Sequence, residues 1–304
     1  MGAFRHSSSL QRVAIQLGDR ATLRVLGPDR KGIVAACSDL LNRHGCSIVS
    51  SEHYTDYSAT PHSMLFQRIL FDPEGLRDRS EVKTKVQELE RKFGVKTKID
   101  WRDKSPKVAV LVSKHDHCLW ELLLRQQAKE LDCEIPLIIS NHENLRHVAD
   151  TFQIPYYVFP VTPETKLEQE QAQLALIEAH DIDVIVLARY MQVLSKHFLS
   201  RYADSQIINI HHSFLPAFLG GRAYHQAHDR GVKLIGATAH YATLDLDQGP
   251  IIAQDVVAVS HRDGPHDFVR KGRGLERNVL VRALQAHLDQ CVLVYNNKCV
   301  VFSD

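Results

Sequence analysis

The chain has 304 residues, room for two domains each with its own core, and its 37 basic and 36 acidic residues leave a net charge of +1. That balance gives no electrostatic reason to expect a nucleic-acid partner, and no apolar run approaches the ~20 residues needed to cross a bilayer. With no such run a soluble protein is expected, and the six cysteines, Cys37, Cys46, Cys118, Cys133, Cys291 and Cys299, form no CxxC pair, which argues against a zinc site or disulfide framework and for a reducing intracellular compartment.

Residues 1–20 begin MGAFRHSSSLQRVAIQLG, with Arg5, Arg12 and a serine cluster but no acid among the first eighteen. This is the composition of a mitochondrial transit peptide, or else of a short flexible end, so the expected location is the cytoplasm or the mitochondrial matrix. Residues 21–101 then read strand, helix, strand, strand, helix, strand: ATLRVLG, GIVAACSDLLNRHG, CSIVSSEHYT, MLFQRILFD, SEVKTKVQELERKFG and VKTKIDW. Helix-spaced Ile33, Cys37, Leu40 and Leu41 between period-two segments predict a small ferredoxin-like α+β domain, βαββαβ. Its first turn, Gly27 to Ile33, places Asp29 as a helix cap and Gly32 in a tight turn.

Residues 102–107, RDKSPK, read as a linker. From 108 to 304 the register changes: VAVLVS, CEIPLIIS, IPYYVFP, DVIVLAR and IINIHHS are short apolar strands separated by helical patterns, which predicts a Rossmann-like, mostly parallel α/β sheet covered on both faces. Ligands of such sheets bind beyond the carboxyl ends of the strands, where Ser113, Ser140, Arg189 and His211 fall. A long helix over His266 to Leu288 carries an apolar stripe read as packing, and CVLVYNNKCVVFS reads as a hairpin turning at Asn296-Asn297.

The chemistry concentrates in IINIHHSFLP and the downstream loop ending at Asp247. On a strand, residues two apart share a face, so Asn209 and His211 stand side by side while Ile208 and Ile210 face the other way. An amide N–H can hold a developing oxyanion, an imidazole ordinarily titrates near neutrality, and a carboxylate can orient that imidazole or a water. The trio suits attack on a carbonyl, and GxSxG, the signature of a serine nucleophile elbow, is absent from the chain. A metal hydrolase is a rival reading on His211, His212, His225, His228 and His240, with His225 and His228 three apart, but HExxH is missing and no metal is expected.

These strings carry a resemblance. Residues 107 to about 260 resemble the catalytic domain of folate-dependent formyltransferases, and INIHHSFLP, GATAHYATLDLDQGPII and VLARYMQVLS are similar to those of formyltetrahydrofolate deformylases. The resemblance implies that Asn209, His211 and Asp247 are catalytic, that His240 lies nearby, and that Met191, Gln192, Leu194, Thr243, Leu244, Asp245 and Leu246 line a folate pocket. It implies hydrolysis of 10-formyltetrahydrofolate to formate and tetrahydrofolate without a cofactor, feeding one-carbon and purine metabolism. Residues 21–101 resemble an ACT domain, which implies an amino-acid effector near Asp29 and Gly32 and a homo-oligomer.

Two other readings stay open. One is transfer of the formyl group to an amine such as glycinamide ribonucleotide; against it, Ser113 to Cys118 replaces the glycine-rich phosphate loop of those transferases, and Asp116 would repel a phosphate. The other is an amino-acid-sensing interaction protein on an inactive scaffold. Ala223, where the deformylases commonly carry proline after the arginine, is a small departure.

Overall fold

The computed structural model describes residues 20–59, 61–202, 205–218 and 222–302, so the N-terminal stretch read as a transit peptide lies, Arg20 apart, outside the described residues. The chain divides between Asp103 and Lys104 into two units.

The N-terminal unit runs β1 (Ala21–Pro28), α1 (Ile33–Arg43), β2 (Ser47–Asp56), β3 (Met64–Asp72), α2 (Arg79–Phe93) and β4 (Lys96–Asp100). Its strands form an antiparallel sheet in the order β2-β3-β1-β4. Alternation explains the covered face: Leu23 and Val25 of β1 with Leu65, Ile69 and Phe71 of β3 pack in one cluster with Ile33, Cys37 and Leu41 of α1 and Val82 and Val86 of α2. Helix α2 is bounded by local chemistry, since the Asp78 carboxylate accepts the Ser80 N–H at 2.7 Å and Gly94 closes the last turn at φ 70°. Helix α1 departs from the expectation. Gly32, at φ 95°, is its N-cap and no side-chain hydrogen bond caps it. Asp29 is exposed, and its backbone N–H donates to the Ser63 carbonyl at 2.8 Å.

The C-terminal unit begins with β5 (Lys107–Val112), which takes in the last residue of the expected linker, and continues α3 (His117–Gln127), β6 (Glu134–Ser140), α4 (Arg146–Thr151), β7 (Tyr156–Val158), α5 (Lys166–Ala179) and β8 (Val184–Leu187). After these come α6 (Lys196–Ser200), β9 (Ile207–His211), α7 (Ala223–Asp229), β10 (Leu234–Tyr241), β11 (Ile251–Ala258), α8 (Pro265–Leu288), β12 (Val292–Tyr295) and β13 (Lys298–Val301). Seven strands form a sheet ordered β11-β10-β9-β8-β5-β6-β7; β9 to β7 are mutually parallel, and β10 and β11 close the other end antiparallel.

Both faces of this sheet are covered, as apolar runs in parallel strands require. Along β5, Val108, Val110 and Val112 enter a core with Leu119 and Leu122 of α3 and Leu280 and Leu284 of α8, while Ala109 and Leu111 enter a second with Leu174 of α5 and Phe198 of α6. Each wholly buried leucine contributes about 2 kcal/mol. Because β5 pairs with β6 on one side and β8 on the other, the strand order reverses between β5 and β8, which opens a crevice at their carboxyl ends. Pro265 at its first position starts α8, with the Asp267 carboxylate accepting the Gly264 N–H at 3.1 Å. The β12-β13 hairpin turns at Asn296 and Asn297, both at positive φ as a type I′ turn demands.

Candidate active site

Strand β9 ends at His211, and its alternation holds. Ile208 and Ile210 are buried in the α8-side core, and Asn209 and His211 line a cavity of about 340 Å³ on the opposite face. Next to it, antiparallel β10 places His240 across from Asn209. The His240 Nδ1–H donates to the Tyr241 carbonyl at 2.9 Å, which leaves Nε2 as an acceptor for the Asn209 amide N–H at 3.1 Å. Burial, above all, lowers the His240 pKa and favours the neutral ring that this arrangement uses. One amide proton of Asn209 is thereby committed to His240, which fixes the plane of the carboxamide.

Asp247 reaches the same cavity from the loop between β10 and β11. Its Oδ1 lies 3.2 Å from His211 Nδ1 and 3.8 Å from His240 Nε2. Burial pushes its carboxyl up, but the hydrogen bond from His211 and the nearby imidazoles outweigh that and hold it below the ordinary carboxylate range. His211 is thus held at Nδ1 by a carboxylate, and its Nε2 faces the Phe218 carbonyl at a long 3.5 Å.

The loop is held where it rejoins the sheet. Gly249 passes so close to β10 that a Cβ there would overlap the Tyr241 carbonyl oxygen, so glycine alone fits. Asn297, in the C-terminal hairpin turn, donates to the Gln248 carbonyl at 2.8 Å. Asp247 itself sits at φ 57°, a left-handed conformation that aspartate tolerates better than most residues.

The rest of the wall comes from the segment after β8. Ser113, at the carboxyl end of β5, donates to Asn141 Oδ1 at 2.7 Å and accepts the Met191 N–H at 3.0 Å, tying that segment to the strand ends. Met191, Gln192, Leu194, Thr243, Leu244 and Leu246 line the cavity with the four polar side chains. Asp245 does not; it lines a neighbouring hollow with Tyr202 and Gln248. Met191, Val193, Leu244 and Leu246 are about half exposed, an apolar rim of the kind that flat ring systems bind.

A second polar cluster, not anticipated from the sequence, is buried in the same unit. Glu276 of α8 accepts from His117 Nε2 and Tyr224 Oη, both at 2.8 Å, and lies 3.4 Å from Arg189 Nε. Burial raises its carboxyl, but these partners prevail and bring it down to about 2. Gly272, one turn earlier, gives Tyr224 its room, since a Cβ would strike the phenol ring. His117, Cys118 and Glu276 bring possible metal donors within 4.8 Å. His117 and Glu276 are already bonded to each other, however, and burial drives the Cys118 thiol well up, so these donors do not form a ready cation site. His225 is exposed on α7, and neither it nor His228 joins such a group among the described residues.

Ala223 is the first residue of α7, where proline is well tolerated in general. Arg222 before it adopts φ −118° and ψ 30°, away from the extended conformation that a following proline imposes, so alanine suits this turn.

Residues 106–284 match the family model described as Formyl transferase. A formyltetrahydrofolate deformylase of Synechocystis is 48% identical over 284 residues, 93% of this chain and 98% of that protein. The crystal structure of a formyltetrahydrofolate deformylase from Pseudomonas syringae pv. tomato superposes with a TM-score of 0.90 at 43% identity, covering 95% of this chain and 96% of that one. A glycinamide ribonucleotide transformylase from Symbiobacterium toebii matches less of it, with a TM-score of 0.62 at 25% identity over 65% of this chain and 94% of its own. The C-terminal unit thus has the α/β fold of the formyl transferases, with a mostly parallel central sheet. Within that class, the chain belongs to the formyltetrahydrofolate deformylase family.

Proposed function

We propose that this chain hydrolyses 10-formyltetrahydrofolate to formate and tetrahydrofolate, with water as the acceptor of the formyl group. The observation that carries the reading is the joint placement of a fixed carboxamide, Asn209, and a carboxylate-held imidazole, His211 with Asp247, on one cavity with an apolar rim. The free N–H of Asn209 donates to the formyl oxygen as charge develops, a contact worth ~3 kcal/mol of barrier. His211, oriented through Nδ1 by Asp247, moves a proton between the water and the departing nitrogen at Nε2. Asp247 stabilises the imidazolium that this creates. The folate ring lies on Met191, Leu194, Leu244 and Leu246, with Gln192 and Thr243 at the edge.

Water is favoured over an amine because the β5-α3 turn, Ser113 to Asp116, has no glycine to bring backbone amides onto a phosphate. Formate release from 10-formyltetrahydrofolate, measured with and without glycinamide ribonucleotide, tests this directly: hydrolysis gives equal formate in both, and transfer gives formylated acceptor instead.

The N-terminal unit, in the same proposal, is an ACT-like regulatory domain over residues 21–101, joined to the catalytic domain through 102–107. Its effector, a small amino acid, meets the backbone amides of the α1 N-terminus at Gly32 beside the exposed Asp29. Edge strand β2 exposes Ile48, Val49 and Tyr54, which suits pairing with a second copy in a homo-oligomer. Among the described residues, no helix is long and apolar enough to cross a membrane. Six free cysteines favour a reducing intracellular setting.

A further inference from the structure

A second cavity, about 180 Å³, shares two side chains with the first, since Arg189 and His212 line both. It is strongly cationic: Arg189, Arg222 and Arg273 set three guanidinium groups against the single carboxylate of Glu276. That carboxylate is already held by His117 and Tyr224. The guanidinium of Arg189 is not similarly satisfied. Only 8% of the residue is exposed; its Nε lies 3.4 Å from the Glu276 carboxylate, and its Nη1 has no hydrogen-bond partner among the described residues. A buried donor left open costs free energy until an acceptor reaches it, and a planar carboxylate can bridge the Nη1 and Nη2 edge of a guanidinium with two parallel bonds.

We propose that this arginine cavity is a receiving site for the small carboxylate product, formate, on its way out of the reaction cavity. The inference rests on the hydrolytic reading given above. Hydrolysis would create formate beside the ionised Asp247, and two like charges at such range repel. Across the shared wall of Arg189 and His212 the field has the opposite sign. The cavity holds a one-carbon acid and a few waters, at about 30 Å³ for each water, and excludes a folate. Product would then leave by a route separate from the one the folate occupies.

The test is titration of the full-length protein with 13C-formate, following its NMR line width, alongside product inhibition of turnover by sodium formate. Arg222 and Arg273 are exposed, so Arg273→Gln and the double variant with Arg222→Gln leave the core intact; Arg189→Lys, which keeps the charge and loses the fork, is the further variant. Formate affinity is expected to fall about tenfold in Arg273→Gln and further in the double variant, with the formate inhibition constant rising in step. Acetate and inorganic phosphate serve as comparison probes. Tighter binding of formate than of either supports the assignment; tighter binding of phosphate, or unchanged formate affinity in the double variant, overturns it. Absence of formate production from 10-formyltetrahydrofolate would sink the hydrolytic reading instead, and the titration reads the cavity independently of that outcome.

Discussion

Two of the histidine–carboxylate pairs in the C-terminal unit, both buried, differ in one decisive respect of their surroundings. His117–Glu276 is a closed pair: both carboxylate oxygens are occupied, by His117 and Tyr224, with Arg189 alongside, and Glu276 is almost wholly buried. His211–Asp247 is an open pair, with one contact at 3.2 Å, an imidazole nitrogen otherwise facing only a distant carbonyl, and a cavity in front of it. The same two side-chain types therefore serve differently. A pair whose carboxylate is filled on both oxygens spends that charge on the fold, and a pair that opens on a cavity keeps a nitrogen available for a proton to or from a ligand.

Replacing each member separates the two roles. His211→Ala is expected to lower kcat by ~100- to 10,000-fold, the usual worth of a positioned acid–base group, with the melting temperature little changed; steady-state kinetics and a thermal melt check both halves. Glu276→Gln acts the other way, destabilising the protein by about 3–5 kcal/mol because Arg189 is left buried without its counter-charge, as urea unfolding would read. Glu276 is held at about 2 against an ordinary 4.5, so its contribution is present above about pH 4.5 and is lost as pH falls toward about 2. The stability gap between native protein and Glu276→Gln should accordingly narrow over that window, and a constant gap would refute the assignment.

Smaller effects sharpen the contrast. Asn209→Ala removes the proposed oxyanion donor, and a loss of about 3 kcal/mol in barrier should appear in kcat with substrate affinity nearly preserved. Gly272→Ala forces Tyr224 away from Glu276 and should cost ~1–3 kcal/mol of stability, with spectroscopic change at the tyrosine.

The open pair was the legible one. Asn209 and His211 were readable because a strand puts residues two apart on one face, and Asp247 because it precedes the Gly-Pro stretch of a loop whose strings resemble a known family. The role of His240 was not readable, since its tautomer depends on which carbonyl faces Nδ1. The closed pair left only a faint trace: Glu276 falls inside the buried stripe of a helix that otherwise reads as packing, next to Leu275 and three before Val279. Its partners stand 159 and 52 positions away, at separations that helical periodicity does not report. The N-terminal unit was legible in its element order and less so at its first helix, where Gly32, and not Asp29, forms the cap. The antiparallel direction of β10 and β11 is not legible in the sequence, because pairing direction is set across the sheet and not within either segment.

The central claim is that His211, held by the Asp247 carboxylate, activates water against the formyl group. Single-turnover release of formate from 10-formyltetrahydrofolate, with no amine present, tests it in the native protein and in Asp247→Asn. One formate per site at a rate slowed ~100-fold or more by the substitution is the expected result. Native-rate release by Asp247→Asn, or formate that appears only when an amine acceptor is added, would contradict it.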